Sequence, residues 1–215
     1  SNSTEEAVEL TKHAKKAGAE GALIVTPYYN KPSQDGLYAH FKTIADTVDI
    51  PIIIYNIPPR SVVDMSVETM ARLANDCPNI AGVKDATMDL ARPLATRAAI
   101  DGDFCVLSGE DATVLSLLVN GGDGCISVTA NVAPRACAEM HDAWQAGNTA
   151  EAMAINDRLF PLHQALFVEP NPVPVKYGLS LLDKATMDVR LPLTPANENT
   201  QSQVHVAMVS AGLLN

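Results

Sequence analysis

Hydrophobic and polar positions along this chain fall into alternating blocks of two kinds. The first kind repeats at helical spacing. Ser3 and Glu6 form a capping box, followed by Ala7, Val8, Leu10, Ala14 and Ala17 on one face and closed by Gly18. Ser33 to Val48 repeats the pattern with Leu37, Phe41, Ile44 and Ala45, and Ser66 opens another helix to Ala74 with Glu68 in its first turn. Leu90 to Ala99 and Glu110 to Val119 read the same way. The second kind is short and apolar: 22–26, 51–55, 80–84, 104–107 and 124–128. After Val128 the alternation stops, and 134–146, 149–167, 174–183 and 199–211 all read as helix. This predicts a βα-repeating region over 1–146 and a helical domain over 147–215.

The five strands are apolar throughout, without polar alternation, which predicts a parallel sheet covered on both faces. Their spacing, roughly 20–30 residues, is that of βα units. Five strands are too few to close an eight-stranded barrel. The pattern therefore fits either an open doubly wound sheet or a barrel lacking its first three strands.

In both architectures chemistry gathers at the C-terminal strand ends. Those ends read Thr26-Pro27-Tyr28-Tyr29-Asn30, Tyr55-Asn56-Ile57-Pro58-Pro59-Arg60, Lys84-Asp85, Ser108-Gly109-Glu110-Asp111 and Ser127-Val128-Thr129-Ala130-Asn131. Lys84 ends a buried-looking strand. Burial lowers an amine pKa from its ordinary value of about 10.4 and frees the lone pair for attack on a carbonyl. The plainer reading is a strand-end lysine whose ammonium reaches solvent. Tyr55 is placed to relay protons or to sit in the core, and Arg60 offers a planar fork to a carboxylate or lies on the surface. Tyr28 and Tyr29 form an aromatic pair suited to a site or to a subunit contact. Gly121-Gly122-Asp123-Gly124 precedes a strand, so it reads as a tight turn rather than a phosphate loop.

Composition narrows the classes. The chain has 215 residues, 47% of them hydrophobic, and a net charge of −10. That charge argues against nucleic acid or an anionic membrane as partner. The four cysteines form no Cys-x-x-Cys pair and read as small buried hydrophobes in a reducing, cytoplasmic setting. The five histidines show no ligand spacing, so no metal site is expected.

Val25-Thr26-Pro27-Tyr28-Tyr29, Tyr55-Asn56-Ile57-Pro58, Gly82-Val83-Lys84-Asp85-Ala86-Thr87, Leu107-Ser108-Gly109, 124–131 and Phe167-Val168-Glu169-Pro170-Asn171-Pro172 together resemble the dihydrodipicolinate synthase family. This family belongs to the pyruvate-dependent class I aldolases, as does N-acetylneuraminate lyase. The resemblance runs from Ser1 to Asn215. It implies a (β/α)8 TIM barrel with a C-terminal helical domain, here strands 4–8, assembled as a homotetramer built from a dimer of dimers. It implies condensation of pyruvate with L-aspartate 4-semialdehyde in lysine biosynthesis, with no cofactor beyond a Schiff base on Lys84. Tyr55 matches the proton-shuttling tyrosine, and Tyr29 the tyrosine that enters the neighbouring subunit's site. Gly109 and Ile126 match the pyruvate pocket, and Arg60 matches the receiver of the aldehyde's carboxylate. Asn2, Glu6 and Tyr28 match positions where some members bind lysine as inhibitor. The family's first three βα units, with a threonine pair that joins the proton relay, have no counterpart in this sequence. The resemblance also admits another pyruvate-dependent aldolase such as N-acetylneuraminate lyase, although Arg60 favours the synthase, and the missing threonines admit an impaired remnant that binds or assembles without turnover.

Overall fold

A computed structural model describes all residues, 1–215. By packing, the chain falls into two compact units, Ser1–Ile126 and Ser127–Asn215.

The first unit begins with α1 (Thr4–Lys16), whose N-cap Ser3 side chain accepts from the Glu6 amide. β1 (Ala22–Val25), α2 (Gln34–Thr47) and β2 (Ile52–Asn56) follow. Ser33 caps α2 by accepting from the Gly36 amide. A short helix absent from the sequence reading, α3 (Pro58–Ser61), starts on two prolines, which suit the first helical positions because no amide there needs a partner. Next come α4 (Val67–Asp76), capped by Ser66, then β3 (Ile80–Asp85), α5 (Arg92–Ala99) and β4 (Cys105–Ser108). The helix expected from Glu110 is a 3-10 turn at Asp111–Thr113 leading into α6 (Val114–Val119).

The last strand, β5, covers only Gly124–Cys125 and not 124–128 as expected. The chain leaves the ladder after the Ile126 amide donates to the Ser108 carbonyl (3.0 Å). It then enters a 3-10 turn at Thr129–Asn131, where the Ser127 hydroxyl accepts from the Ala130 amide (2.8 Å). A serine hydroxyl offers the backbone this alternative to a ladder bond.

All strand pairs are parallel, in the order β1-β2-β3-β4-β5. That sequential order has no reversal point, so the sheet is not doubly wound. Right-handed crossovers then put every connecting helix on the same face. Ile24, Ile52, Ile54, Ile80, Val83 and Val106 pack there in one core with Leu37, Phe41 and Ile44 of α2 and with Met70 and Leu73 of α4. Within these residues the other face is less covered: β2 alternates buried and half-buried positions, and Leu23 of β1 is 46% exposed. β-branched residues fill both faces of these strands, so composition alone could not show which face the helices cover. Gly82 lets β3 and β4 approach: a Cβ there would stand 2.3 Å from the Cys105 carbonyl oxygen.

The second unit holds α7 (Pro134–Gln145), α8 (Thr149–Ala165), α9 (Val173–Leu181) and α10 (Glu198–Ser210). α7 and α10 pack on α8, around buried Met140, Leu159, Leu162, Val204 and Met208. Buried His163 shares a 2.8 Å hydrogen bond with the Thr129 hydroxyl. No helix is long and apolar enough to cross a membrane.

Candidate active site

In a parallel sheet, in-register residues point to the same face. Val25, Tyr55, Lys84, Leu107 and Gly124 form one such row across β1 to β5. Tyr55 and Lys84 are therefore direct cross-strand neighbours. The Lys84 Nζ lies 4.1 Å from the Tyr55 ring centroid. Both side chains are half-buried, on the face away from the core helices. The amine thus rests on an aromatic face rather than extending into solvent.

Burial holds the Lys84 amine below the ordinary lysine value, against the opposing fields of Cys125, Glu110 and Asp111. Burial raises the Tyr55 phenol; Arg60 pulls it down and Glu110 pushes it up. Burial and then Asp111 raise the Glu110 carboxyl, against Lys84 and Arg60. These mutual fields bring Lys84, Tyr55, Arg60 and Glu110 into one electrostatic cluster.

Arg60 reaches the cluster from α3, where it is exposed. Gly109 follows β4, and its amide donates to the Asp85 carbonyl (2.6 Å). A Cβ at Gly109 would lie 2.7 Å from the Ala86 Cβ and 3.2 Å from the Lys84 Cε, so glycine leaves room for the lysine stem. Ile126 stands just after β5 and is partly exposed.

Tyr29 stands apart from this cluster. It is 85% exposed, with φ +73°, and the Asn30 amide donates back to the Tyr28 carbonyl (2.9 Å) across it. Such a γ-turn is strained for a residue with a Cβ. Tyr28 belongs to a second grouping: its carbonyl accepts from the Asn2 side chain (3.1 Å), and the Asn30 side chain donates to the Asn2 carbonyl (2.9 Å). Glu6, one turn along, accepts from the Ser1 hydroxyl.

Glu110, Asp111 and Cys125 carry no motif in the sequence that marks them for the site. The available signal was position: the carboxylates directly follow β4, and Cys125 ends β5, at the end of the sheet that carries Lys84. The cysteines were expected to be buried hydrophobes, yet only Cys77 is fully buried. No group of three His, Cys, Asp or Glu side chains gathers to hold a metal ion. An amine of lowered pKa, a phenol, a guanidinium and a carboxyl at one end of a sheet suit carbonyl chemistry on an anionic substrate.

Comparison with known proteins agrees. The chain is 64% identical to a 4-hydroxy-tetrahydrodipicolinate synthase of Rhodospirillum centenum, over 100% of this chain and 73% of the relative. Among solved structures, a chloride-inhibited dihydrodipicolinate synthase from Acinetobacter baumannii complexed with pyruvate matches with a TM-score of 0.95 and 47% identity, over 99% of this chain and 73% of that one. The synthase from Cyanidioschyzon merolae with lysine bound matches with a TM-score of 0.95 and 43% identity, over 99% and 72%. The Dihydrodipicolinate synthetase family matches residues 1–211, and the chain belongs to that family.

Proposed function

We propose that this chain is a lyase that condenses pyruvate with L-aspartate 4-semialdehyde to 4-hydroxy-tetrahydrodipicolinate, through an imine on Lys84. The observation that carries the reading is the in-register Tyr55–Lys84 pair, with the amine 4.1 Å from the ring centroid and held below its ordinary pKa by burial. The neutral amine attacks the keto carbon of pyruvate and water leaves, giving the imine. Loss of a methyl proton gives an enamine. Its carbon bonds to the aldehyde carbon, and the aldehyde oxygen takes a proton. The amino group of the adduct then closes the ring at the former keto carbon and releases Lys84.

Tyr55, beside the amine, is suited to shuttle these protons. We assign Gly109, which leaves room for the Lys84 stem, and Ile126 to the pyruvate pocket, and exposed Arg60 is suited to receive the aldehyde's carboxylate. The chemistry needs no cofactor. We take the five strands as strands 4–8 of an eight-stranded barrel, with 1–146 as barrel and 147–215 as the helical domain. We further take the protein as a cytoplasmic dimer of dimers in which exposed Tyr29 enters the neighbouring subunit's site. The Asn2, Glu6 and Tyr28 grouping is the place for lysine as inhibitor.

The curated relatives favour the synthase over a sugar-acid lyase. An aldehyde panel with pyruvate tests this. Turnover with L-aspartate 4-semialdehyde well above that with N-acetylmannosamine is expected. Arg60→Ala should raise the KM for the semialdehyde far more than that for pyruvate. A preference for the sugar would overturn the reading.

A further inference from the structure

Lys84 and Tyr55 face the site, so the residue after each faces the opposite way. Those residues are Asp85 and Asn56, in-register partners that are 9% and 1% exposed. Asp85 Oδ1 accepts from the Thr87 amide (2.8 Å) and hydroxyl (2.6 Å), and its Oδ2 lies 2.8 Å from Arg92 Nε. Arg92, at the start of α5, also reaches the loop after α3. Its Nη2 stands 3.3 Å from Asp64 Oδ1, its Nη1 donates to Asp64 Oδ2 (3.4 Å), and its Nη2 donates to the Met65 carbonyl. Asn56 closes the circuit: its amide donates to Asp64 Oδ1 (2.7 Å) and its carbonyl oxygen accepts from the Met65 amide (3.0 Å).

One guanidinium thus forks between a carboxylate at the end of β3 and one on the loop after α3, and the in-register strands complete the ring. The catalytic steps leave these four residues unused. The charges that act on the Lys84 amine are Cys125, Glu110 and Asp111, so the ring's bearing on the lysine is geometric. The Arg92 and Asp85 side chains are nearly buried, at 10% and 8% exposed, while Asp64 is half exposed. A buried ion pair stabilises a fold no better than packed apolar side chains, and the better-attested benefit is a single fixed arrangement. The segments that follow α3 and β3 each contain a strained residue, Val62 at φ +67° and Met88 at φ +61°. Such backbones persist only where their surroundings over-determine them.

We propose that Asp85, Arg92, Asp64 and Asn56 are positioning residues. Their ring locks the backbone at 55–56 and 84–85, together with the loop leaving Arg60, so that amine, phenol and guanidinium share one geometry. The proposal rests on the Lys84 reading above.

The test uses Arg92→Lys, which retains the charge but cannot fork between two carboxylates. Asp64→Asn, which removes one charge and retains an oxygen for Asn56, is the second variant. In each we expect borohydride trapping of pyruvate on Lys84 to slow, with kcat falling toward the roughly 100-fold loss that small misplacements cause. The pyruvate KM should change much less, and the trapping pH profile should stay in place. A folded variant with wild-type trapping and kcat would overturn the ring. If Arg92→Lys fails to fold, Asp64→Asn decides. If the wild type forms no adduct, the Lys84 reading fails instead, and hydrogen exchange then judges the ring. Arg92→Lys must speed exchange at both the Thr87 and Met65 amides, and unchanged exchange there contradicts the proposal.

Discussion

On β2, Ile52 and Ile54 turn toward the helices and are fully buried, whereas Ile53 and Tyr55 turn the other way and stay half-buried. The same alternation on β3 buries Val83 under the helices and leaves Lys84 on the open side. The helix-covered face excludes water and supplies stability. The other face half-buries the Lys84 amine, enough to lower its pKa. A lysine on a fully solvated face would lose that shift.

The sharpest way to break this comparison is one substitution on each face. Ile54→Ala should cost about 2–5 kcal/mol of stability, read by urea unfolding. Lys84→Met removes a partly desolvated charge and should melt at or above the wild-type temperature. If Lys84→Met destabilises as much as Ile54→Ala, the two faces do not differ as described. Gly109→Ala probes the open side more gently. Its new Cβ meets the Ala86 Cβ and the Lys84 Cε, so about 1–3 kcal/mol of overpacking is expected, with slower trapping at Lys84. Wild-type trapping in that variant would remove glycine's part in the site.

Glu110→Gln should have the smallest effect. The Glu110 charge holds the Lys84 pKa up, so its removal lowers that pKa further below about 10.4. The neutral amine then persists to lower pH, and the rising limb of trapping against pH moves to lower pH. A move to higher pH would show that Glu110 does not act on the amine through its charge.

Much of this arrangement was legible in the chain. Ser3, Ser33 and Ser66 mark helix starts because a side-chain oxygen satisfies amides that a first turn leaves open. Lys84, Tyr55 and Arg60 stood out because strand ends collect chemistry. The sidedness of the sheet was hidden, since Ile52, Ile53 and Ile54 look alike whichever face is covered. The early end of β5 was hidden too, because Cys125, Ile126 and Val128 carry a strand's composition while a serine hydroxyl redirects the backbone. The Arg92 ring depends on contacts between residues distant in sequence, and no local pattern announces it.

The central claim is that Lys84 is the residue that bonds to pyruvate. Incubation with pyruvate and borohydride, followed by peptide mass mapping, tests it directly. The account predicts a reduced adduct on the peptide bearing Lys84 and none in Lys84→Met. An adduct on another lysine, or none on the wild-type protein, would contradict it.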